Sequence, residues 1–390
     1  MQQSTYDIAI IGGGLSGLTQ AILLGLNGFD TVVVDYSPNR NDKRTTAISY
    51  GSHKILKQAE IWDDLEPHGC PIEEIQILDG KSPVLLDFNI HDTGIEADAF
   101  GWILENKVIF SALQKKIKST KAVTYLNNTK CDDISFNENE AEIILSDQTI
   151  LKAKLVIGAD GRRSFIREKS GIASKKWSYN QTAIVCFAQH EKPHNNIAVE
   201  HFKKSGPFAI LPMNDSTNGT HQSSIVWTNE GHDVSPYLGH HNLLLTAMNE
   251  RFPDFYGSVT AVSEVQAYPL SFNHAYKYID HRCALIADAA HGIHPIAGQG
   301  LNIGLQDVKA LTDHLVSVKD QDFGLADNLK AYEVQSIPRN MKMTAATDIL
   351  NSLFANNILP ISLARKAGLK LIQRINPAKS YFAKTAMGDL

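Results

Sequence analysis

Three separated segments rich in glycine and aspartate are candidates for holding a nucleotide cofactor. The first, residues 12–17 (G-G-G-L-S-G), follows a short apolar run and precedes a predicted helix. Gly12 permits a tight turn, Gly14 lets the backbone approach a pyrophosphate, and Gly17 allows the helix to pack closely on the strand. Asp35 ends the next apolar run about 20 residues on, where a carboxylate can accept hydrogen bonds from ribose hydroxyls. The motif predicts dinucleotide binding and leaves FAD and NAD open.

The second and third segments each end an apolar run with an aspartate. Asp160-Gly161 is followed by a polar turn and a helix start, and read alone it is equally well an ordinary turn dipeptide. Asp288 is followed by a glycine-rich loop that continues into a helix near Leu301. Backbone N–H groups at such a helix start form an anion-binding concavity, which can stabilise negative charge on a reduced flavin.

Apolar periodicity predicts an α/β arrangement. Residues 7–11 and 31–35 flank the first predicted helix as two buried strands of a βαβ unit. From Gln181 to Thr228, short apolar runs alternate with turn residues, which is typical of an antiparallel sheet. From about Leu329 the pattern is mostly helical. Other predicted elements are helices at Gly101–Leu113 and Leu301–Leu315 and strands at Ala141–Leu145, Lys154–Ile157 and Cys283–Ala287.

Composition excludes several classes of protein. The net charge is -5 and no RNA- or DNA-binding motif is present, so nucleic acid is not an expected partner. The four cysteines lack C-x-x-C spacing, which argues against a zinc site or a disulfide framework and fits a reducing cytoplasm. Neither a signal-peptide pattern nor a stretch of ~20 apolar residues occurs, and a cytoplasmic location is expected.

The three segments together resemble those of the class A FAD-dependent aromatic hydroxylases, which have the para-hydroxybenzoate hydroxylase fold. Within that group the chain is similar to the ubiquinone-biosynthesis hydroxylase family. The further matching pieces are Asp42-Lys43-Arg44, Gly101-Trp102 with Glu105-Asn106, Trp177-Ser178-Tyr179, Gly206-Pro207 with Leu211-Pro212, Ala289 to Gly304, Thr347-Asp348 and Ala386-Met387-Gly388.

The resemblance implies a discontinuous Rossmann-like FAD-binding domain with an inserted antiparallel β-sheet substrate domain. The expected division is residues 1–75, 100–180 and 270–340 for FAD, 76–99 and 181–269 for the substrate, and 341–390 for C-terminal helices. Three positions depart from the family pattern. Asp35 stands where Glu is common, Ala287 where Gly is usual, and Lys107 where Arg is frequent.

The resemblance also implies a role for each segment. The first segment and Asp35 hold the ADP half of FAD, the Asp160 pair lies near FAD and a pyridine nucleotide, and Asp288 holds the ribityl chain. The loop from Pro295 to Asn302 lies beside the isoalloxazine ring. The candidate cofactor-binding residues are Gly12, Gly14, Gly17, Asp35, Arg44, Asn106, Asp160, Gly161, Asp288, Gly298, Gly300, Leu301 and Asn302. The candidate catalytic residues are Pro295, Gly300 and Leu301, and no metal site is predicted.

The implied reaction is hydroxylation of the aromatic ring of a polyprenylated ubiquinone precursor with O2, through a flavin C4a-hydroperoxide. NAD(P)H is the expected reductant, binding transiently because no second G-x-G-x-x-G is present, and a small redox protein is an alternative donor. Two other interpretations stay open. One is a non-catalytic flavin-binding scaffold of a quinone-biosynthesis complex. The other is a prenyl-lipid reductase or a halogenase, although the tryptophan-rich halogenase motif is absent.

Several further segments have two interpretations each. Residues 199–202, 208–212 and 224–227 are candidates for the substrate wall or plain sheet core. The helix predicted at Ile361–Ile375 has an apolar face (Ile361, Ala364, Gly368, Leu371, Ile372, Ile375) and a basic side (Arg365, Lys366, Lys370, Arg374). It fits a membrane surface, with the protein peripheral on the inner membrane, or a helix packed on the flavin domain.

The histidines give weaker signals. His291 and His294, two residues apart, flank the flavin loop, and a metal site would need further ligands, so a structural or hydrogen-bonding role is expected. The pair His240-His241 lies in a polar stretch and is expected at the surface.

Overall fold

The computed structural model describes residues 3–37, 42–80, 84–92, 94, 96–203, 206–231, 234–293, 298–355 and 359–388. The strands in these residues are β1 Gln3–Ile11, β2 Thr31–Asp35, β3 Thr45–Ser49, β4 Cys70–Ile72, β5 Glu74–Asp79, β6 Leu86–Asn89, β7 Gly101–Glu105, β8 Val123–Asn127, β9 Cys131–Phe136, β10 Ala141–Leu145, β11 Ile150–Gly158, β12 Ser174–His190, β13 Ile197–Lys203, β14 Gly206–Met213, β15 His221–Glu230, β16 Val259–Val262, β17 Gln266–Ala275, β18 Ile279–Asp280, β19 Cys283–Leu285 and β20 His291–Gly292. The α-helices are α1 Leu15–Leu26, α2 Tyr50–Gln58, α3 Trp62–Leu65, α4 Asn106–Ser119, α5 Phe165–Lys169, α6 His241–Asn249, α7 Gln299–Ser317, α8 Ala326–Ala355, α9 Leu359–Arg374 and α10 Asn376–Met387.

A mostly parallel sheet carries the glycine-rich segments. Its strand order is β18-β19-β11-β1-β2-β8, and β1 pairs in parallel with both β2 and β11. The central strands are buried on both faces, which explains why residues such as Ile8–Ile10 and Val32–Val34 form unbroken apolar runs. The strands β11, β1 and β19 end near one another, so the three predicted ligand segments meet at one edge of the sheet. The α/β fold class is confirmed.

A second, nine-stranded sheet is antiparallel except where β13 pairs in parallel with β5. Side chains alternate along its strands, so one face packs into a core with α6. Phe208, Ile210, Ile225 and Trp227 belong to that core. The opposite face is turned toward the flavin segments and the C-terminal helices.

Strands β3, β7 and β4 form a three-stranded sheet, and β7 lies where a helix was predicted. The helix expected at Gly101–Leu113 is a strand over Gly101–Glu105, and the helix begins at Asn106 and ends at Ser119. The alternating run G-W-I-L-E pairs with both β3 and β4, and this pairing overrides the helical reading. The strand expected at Cys283–Ala287 ends at Leu285, because Ala287 begins a 3₁₀ turn at φ +51°.

The domain division stays a prediction. Strand β12 runs across its expected boundary at residue 180 and β17 across that at residue 269, so two long strands extend from the second sheet toward the first. Helices were expected for the C-terminal part and are present as α8, α9 and α10. Helix α8 contains Pro338 in its interior.

The side chains that helix α9 buries are not all those that its amphipathic pattern predicts. Arg365, expected on the exposed basic side, is buried in a bidentate ion pair with Asp79. Leu371 and Ile375, expected on the packed apolar face, are 58% and 41% exposed. Ile372 does pack, against the cluster that includes Phe88. The side chains of Ile361 and Ala364 lie outside the described residues. Among the described helices, none is long and apolar enough to cross a membrane.

Candidate active site

A cavity of about 1960 Å³ lies between the parallel sheet, the three-stranded sheet, the cavity face of the antiparallel sheet and the C-terminal helices. Ligand pockets commonly measure roughly 300–1,000 Å³, so this cavity has room for a dinucleotide and a second molecule. The sequence-predicted site residues that line it are Gly14, Gly17, Arg44, Asn106, Gly161, Asp288, Gly298, Gly300, Leu301 and Asn302. Gly12, Asp35 and Asp160 lie behind this lining, and Pro295 falls outside the described residues.

The first glycine segment is packed so tightly that side chains are excluded. A Cβ atom on Gly17 would lie 2.0 Å from the carbonyl oxygen of Gly12, and one on Gly12 would lie 2.4 Å from that of Ala159. Gly12 also has φ +109°, a conformation that non-glycine residues rarely adopt. Helix α1 begins at Leu15 without a side-chain cap, so its first N–H groups are available to an anion in the cavity.

Asp35 lies directly beneath the glycine turn. A Cβ atom on Gly13 would lie 2.5 Å from Oδ2 of Asp35. The same oxygen accepts a hydrogen bond of 2.9 Å from the hydroxyl of Tyr125. Asp35 is buried at the end of β2, and its contact with a ribose stays a prediction.

Asp160 and Gly161 have different positions in the second segment. Oδ2 of Asp160 accepts hydrogen bonds from the backbone N–H groups of Phe165 and Ile166 at 2.7 and 3.1 Å, at the start of α5. Burial raises the pKa of this carboxyl group. Gly161, at φ +83°, lines the cavity with open space where a Cβ would point. The aspartate therefore holds the turn that presents the glycine.

Asp288 reaches the cavity from the 3₁₀ turn after β19. Its Oδ2 lies 3.3 Å from Nε of Arg162, whose Nη1 also donates to the carbonyl oxygen of Ser271 at 3.0 Å. Both side chains are partly exposed to the cavity. This pair joins the second and third segments across their sequence separation, and it presents a carboxylate and a guanidinium to a polar ligand.

The third segment continues into α7, whose first turn lines the cavity. Gly298 precedes the helix at φ +63° and provides no side-chain cap. The amide of Asn302 bridges to β3: Oδ1 accepts from the backbone N–H of Ser49 at 3.0 Å, and Nδ2 donates to the carbonyl of Ala47 at 2.8 Å. This contact fixes the start of α7 against β3, in the loop expected beside the flavin ring.

Asp42, Arg44 and Asn106 form a charged cluster on another wall. Nε and Nη2 of Arg44 donate to the two oxygens of Asp42 at 2.8 and 2.7 Å, and Nδ2 of Asn106 donates to Asp42 at 2.9 Å. Burial opposes ionisation of Asp42, but Arg44 and Asn106 outweigh it and hold the pKa below its ordinary value. Arg44 also lies 5.1 Å above the ring of Tyr268. The cluster fixes a guanidinium at the cavity wall.

His291 has a structural role. It is buried, and its Nε2 lies 2.5 Å from Oδ2 of Asp307 on α7. His294 falls outside the described residues, and among the described residues no group of three metal-ligating side chains occurs. The pair His240-His241 is exposed, as predicted.

The other half of the cavity is apolar. Its wall is one face of the antiparallel sheet together with Leu369 and Ile372 of α9. Six residues of the three candidate wall segments line the cavity: Val199, Glu200, Phe202, Ala209, Leu211 and Val226. The other residues of those segments belong mainly to the core on the opposite face, so the core interpretation holds there, and the substrate wall stays a prediction for the cavity face.

A model of the FAD binding domain family matches residues 5–347 of the chain. The chain belongs to the FAD binding domain family. The cofactor predicted from the three segments is therefore FAD. The cavity fits it, because the glycine turn brings backbone to the cavity wall at Gly14 and two helix starts without side-chain caps face the same space.

Two relatives and one solved structure are similar along almost the whole chain. Ubiquinone hydroxylase UbiL of Rhodospirillum rubrum is 39% identical over 399 residues, covering 98% of this chain and 90% of that protein. The 3-demethoxyubiquinol 3-hydroxylase of Escherichia coli is 30% identical and is covered over 100% of both chains. The crystal structure of p-nitrophenol 4-monooxygenase PnpA from Pseudomonas putida superposes with a TM-score of 0.83 at 17% identity, over 99% of both chains. That last likeness concerns the fold alone.

Three site residues were not singled out from the sequence, although Glu200 falls within the candidate wall segment 199–202. Arg162 follows Asp160-Gly161 directly, and a cation in a nucleotide segment is a usable signal. Asp42 belongs to the matching piece Asp42-Lys43-Arg44, but the sequence does not reveal that its carboxylate forms an ion pair with Arg44. Glu200 is a charged residue inside the apolar run I-A-V-E-H-F, and its position on the cavity face is visible only once the sheet register is known.

Proposed function

We propose that the protein is an FAD-dependent monooxygenase that hydroxylates the aromatic ring of a polyprenylated ubiquinone precursor. The observation that carries the proposal is a single cavity with two halves. One half offers glycine backbone and two helix N-termini to a flavin nucleotide, and the other is an apolar sheet face. The named activities of the two full-length relatives, a ubiquinone hydroxylase and a demethoxyubiquinol hydroxylase, support this substrate class.

The apolar half suits a ring that carries a long hydrocarbon tail. Ile72, Ile75 and Phe88 line it from the antiparallel and three-stranded sheets, and Leu369 and Ile372 line it from α9. Burying hydrocarbon surface contributes about 25 cal/mol per Å², so a prenyl chain supplies much of the binding free energy. The aromatic head is then oriented by polar groups near the flavin segments.

FAD and the protein have separate roles in the proposed reaction. Bound FAD takes electrons from a reductant and activates O2 for insertion into the ring. The chain holds the pyrophosphate at the start of α1, positions the ribityl chain with Asp288, and fixes the start of α7 through Asn302. The apolar wall excludes water from the reacting ring. Gly300 and Leu301 lie at that helix start and are proposed to face the isoalloxazine, with Pro295 in the preceding loop.

NAD(P)H is the proposed reductant, bound only transiently. The sequence contains no second glycine-rich dinucleotide motif. Comparing NADH, NADPH and a reduced small iron–sulfur protein as donors, by the rate of flavin bleaching under anaerobic conditions, identifies the donor. Rapid bleaching by a nicotinamide is expected.

The decisive test uses the purified holoprotein with a short-chain 2-prenylphenol in air. Expected results are substrate-stimulated oxidation of NAD(P)H, consumption of O2 and a product heavier by one oxygen atom. Flavin that is never reduced by any donor supports the scaffold alternative, and reduction of a prenyl double bond supports the reductase. A brominated product formed only with added bromide supports the halogenase. Gly17→Val serves as the FAD-depleted control.

We also propose that the C-terminal helices contact a membrane surface. Ile349, Tyr381 and Phe382 line the cavity and are 65%, 59% and 46% exposed. Exposed Lys370 and Arg374 lie on the neighbouring helix α9. An apolar opening beside basic residues fits an anionic bilayer from which a prenylated substrate enters.

Binding to vesicles tests this surface. The double variant Lys370→Glu with Arg374→Glu is expected to sediment less with vesicles of phosphatidylglycerol and phosphatidylcholine. Lys118→Glu with Lys121→Glu, at exposed positions on and just after α4, is the charge-matched control. Equal sedimentation of both variants contradicts the proposal.

A further inference from the structure

A single row of side chains crosses the cavity face of the antiparallel sheet. Strand pairing places its members side by side, and all of them line the cavity. In order across the sheet they are Leu86, Ile77, Glu200, Ala209, Val226 and Val185. Five are apolar, and Glu200 alone in this row carries a carboxyl group. A charged side chain here costs stability unless it meets a partner.

The carboxyl group of Glu200 has no partner among the residues that the structure describes: no hydrogen bond or ion pair joins it to any of them. It lies deep in the protein, yet part of its surface faces the cavity. Burial raises its pKa to about 7. The group is therefore available to a ligand in either protonation state near neutral pH.

The charged groups on the elements packed against β13 are engaged elsewhere or exposed. On β5, Asp79 is bound by Arg365 of α9. On α8, Arg339 is bound to Asp307, and Lys342 is exposed. The cavity-facing neighbours on β14 are apolar. A ligand that lies along this row therefore meets Glu200 as its one hydrogen-bonding side chain.

We propose that Glu200 accepts a hydrogen bond from a ring hydroxyl of the bound substrate and takes its proton as the ring is hydroxylated. This inference rests on the proposed function, because a quinol or phenol precursor carries such a hydroxyl. A neutral phenol attacks an electrophilic oxygen poorly, whereas loss of the hydroxyl proton pushes electron density into the ring. A carboxylate with a pKa near the working pH suits this task.

The hydroxyl O–H bond breaks, a carboxyl O–H bond forms on Glu200, and the electron pair left on the ring oxygen moves into the ring. The ring carbon then bonds to one oxygen atom of O2 while the O–O bond breaks; the second oxygen atom leaves as water, and reduced FAD would supply the two electrons. When aromaticity returns, that carbon loses its hydrogen to solvent and Glu200 returns its proton to the first ring oxygen. Glu200 is unchanged over the cycle.

Binding to the oxidised holoprotein tests the contact without turnover. The probes are a short-chain 2-prenylphenol and its O-methyl ether, which lacks the donated proton, titrated by the change in flavin absorbance. The wild type is expected to bind the phenol about 10- to 100-fold more tightly than the ether, the range for a hydrogen bond to a charged group. In Glu200→Leu this preference is expected to vanish.

The pH dependence gives an independent readout. Phenols ionise near pH 10, so between pH 6 and 8 the substrate hydroxyl keeps its proton. Of the hydroxyl and Glu200, only Glu200 changes its protonation state in this range. Phenol affinity and kcat/KM are expected to rise with pH through about 7 in the wild type, because the carboxylate is the acceptor. In Glu200→Gln the rise is expected to disappear. A fall with pH in the wild type, which marks a protonated donor, overturns the proposal.

Controls separate folding and the proposed function from this contact. Glu250→Gln makes the same charge change beside α6, away from the cavity lining, and should behave as wild type. Glu200→Leu fits its apolar row and should keep FAD and gain thermal stability. Hydroxylation by the wild type with unchanged ligand preference in both Glu200 variants refutes the role of Glu200 alone. If the Glu200 variants lose the preference but the wild type never hydroxylates, the proposed function is refuted and the contact stands.

Discussion

His291 Nε2 lies 2.5 Å from Oδ2 of Asp307, and both side chains are buried. The same carboxylate accepts hydrogen bonds from Nη2 of Arg339, Nδ2 of Asn340 and the backbone N–H of Ala287. Asp307 therefore ties α7 and α8 to the turn that carries Asp288. A satisfied polar network therefore holds the turn that carries Asp288 against α7 and α8.

Replacing Asp307 by Asn is expected to destabilise the protein by about 1.5–3 kcal/mol, because Arg339, whose side chain is 30% exposed, loses its charged hydrogen-bond acceptor. FAD should also dissociate more readily, since the turn at Ala287 loses its anchor. Urea unfolding and the fraction of bound flavin measure the two effects. Asp313→Asn, on the exposed face of the same helix, is the control. A variant as stable as that control contradicts the role of Asp307.

The same carboxylate predicts sensitivity to acid. Burial opposes its ionisation, but His291 and Arg339 outweigh burial and hold the pKa of Asp307 below its ordinary value of 3.8. A lowered folded-state pKa stabilises the protein fully above 3.8, and this contribution is lost as the pH falls through the lower folded value. Stability measured between pH 5 and 2 should therefore fall less steeply in Asp307→Asn than in the wild type. If the free energy of unfolding fell equally steeply with pH in both proteins, the lowered pKa of Asp307 would be contradicted.

Gly17 gives a direct test of the cofactor cradle. A Cβ there would lie 2.0 Å from the carbonyl oxygen of Gly12, so Gly17→Val must displace the glycine turn from the cavity wall. FAD affinity is expected to fall by at least about tenfold, or about 1.4 kcal/mol. Gly368→Ala on α9 is the matched control, because its Cβ meets open space. Flavin fluorescence titration of the apoproteins compares them, and equal affinities would refute the cradle.

Sequence reasoning predicted the elements whose signals are local. The glycine turn, α1 and the buried runs at β2 and β11 depend on neighbouring residues, and they fold as expected. The candidate residues around Asp288 and Asn302 could be chosen because the third segment is long and specific. Their partners could not, since Ser49 lies more than 250 residues from Asn302 and no local pattern encodes such a contact.

The errors arise where tertiary pairing overrides a local pattern. The run at Gly101–Glu105 forms a strand because β3 and β4 lie on either side of it. Helix α9 was expected to expose Arg365, but a buried carboxylate on β5 draws that side chain inward. A helical wheel ranks side chains by polarity alone, so it places every arginine on the solvent side.

Ala287 occupies a backbone conformation that suits glycine. Its φ is +51°, and a non-glycine residue in this region costs roughly 1–2 kcal/mol. Ala287→Gly should relieve that strain and, after the entropy cost of about 0.5–1 kcal/mol for glycine, leave stability unchanged or raised by up to about 1 kcal/mol. Ala310→Gly inside α7 should instead lose about 1 kcal/mol or more. Equal losses in the two variants, measured by urea unfolding, would show that Ala287 is unstrained.

The ion pair between Arg365 and Asp79 is expected to anchor helix α9 to strand β5 of the nine-stranded sheet. Nη2 and Nε of Arg365 lie 2.8–3.0 Å from the carboxylate, and both side chains are almost fully buried. Asp79→Ala strands a buried guanidinium and should cost about 3–5 kcal/mol, whereas Asp79→Leu combined with Arg365→Met should recover most of that loss. Hydrogen exchange of α9 and urea unfolding follow the local and global effects. If the single variant exchanges like the wild type, the helix is held by its apolar contacts instead, and the ion pair is not its anchor.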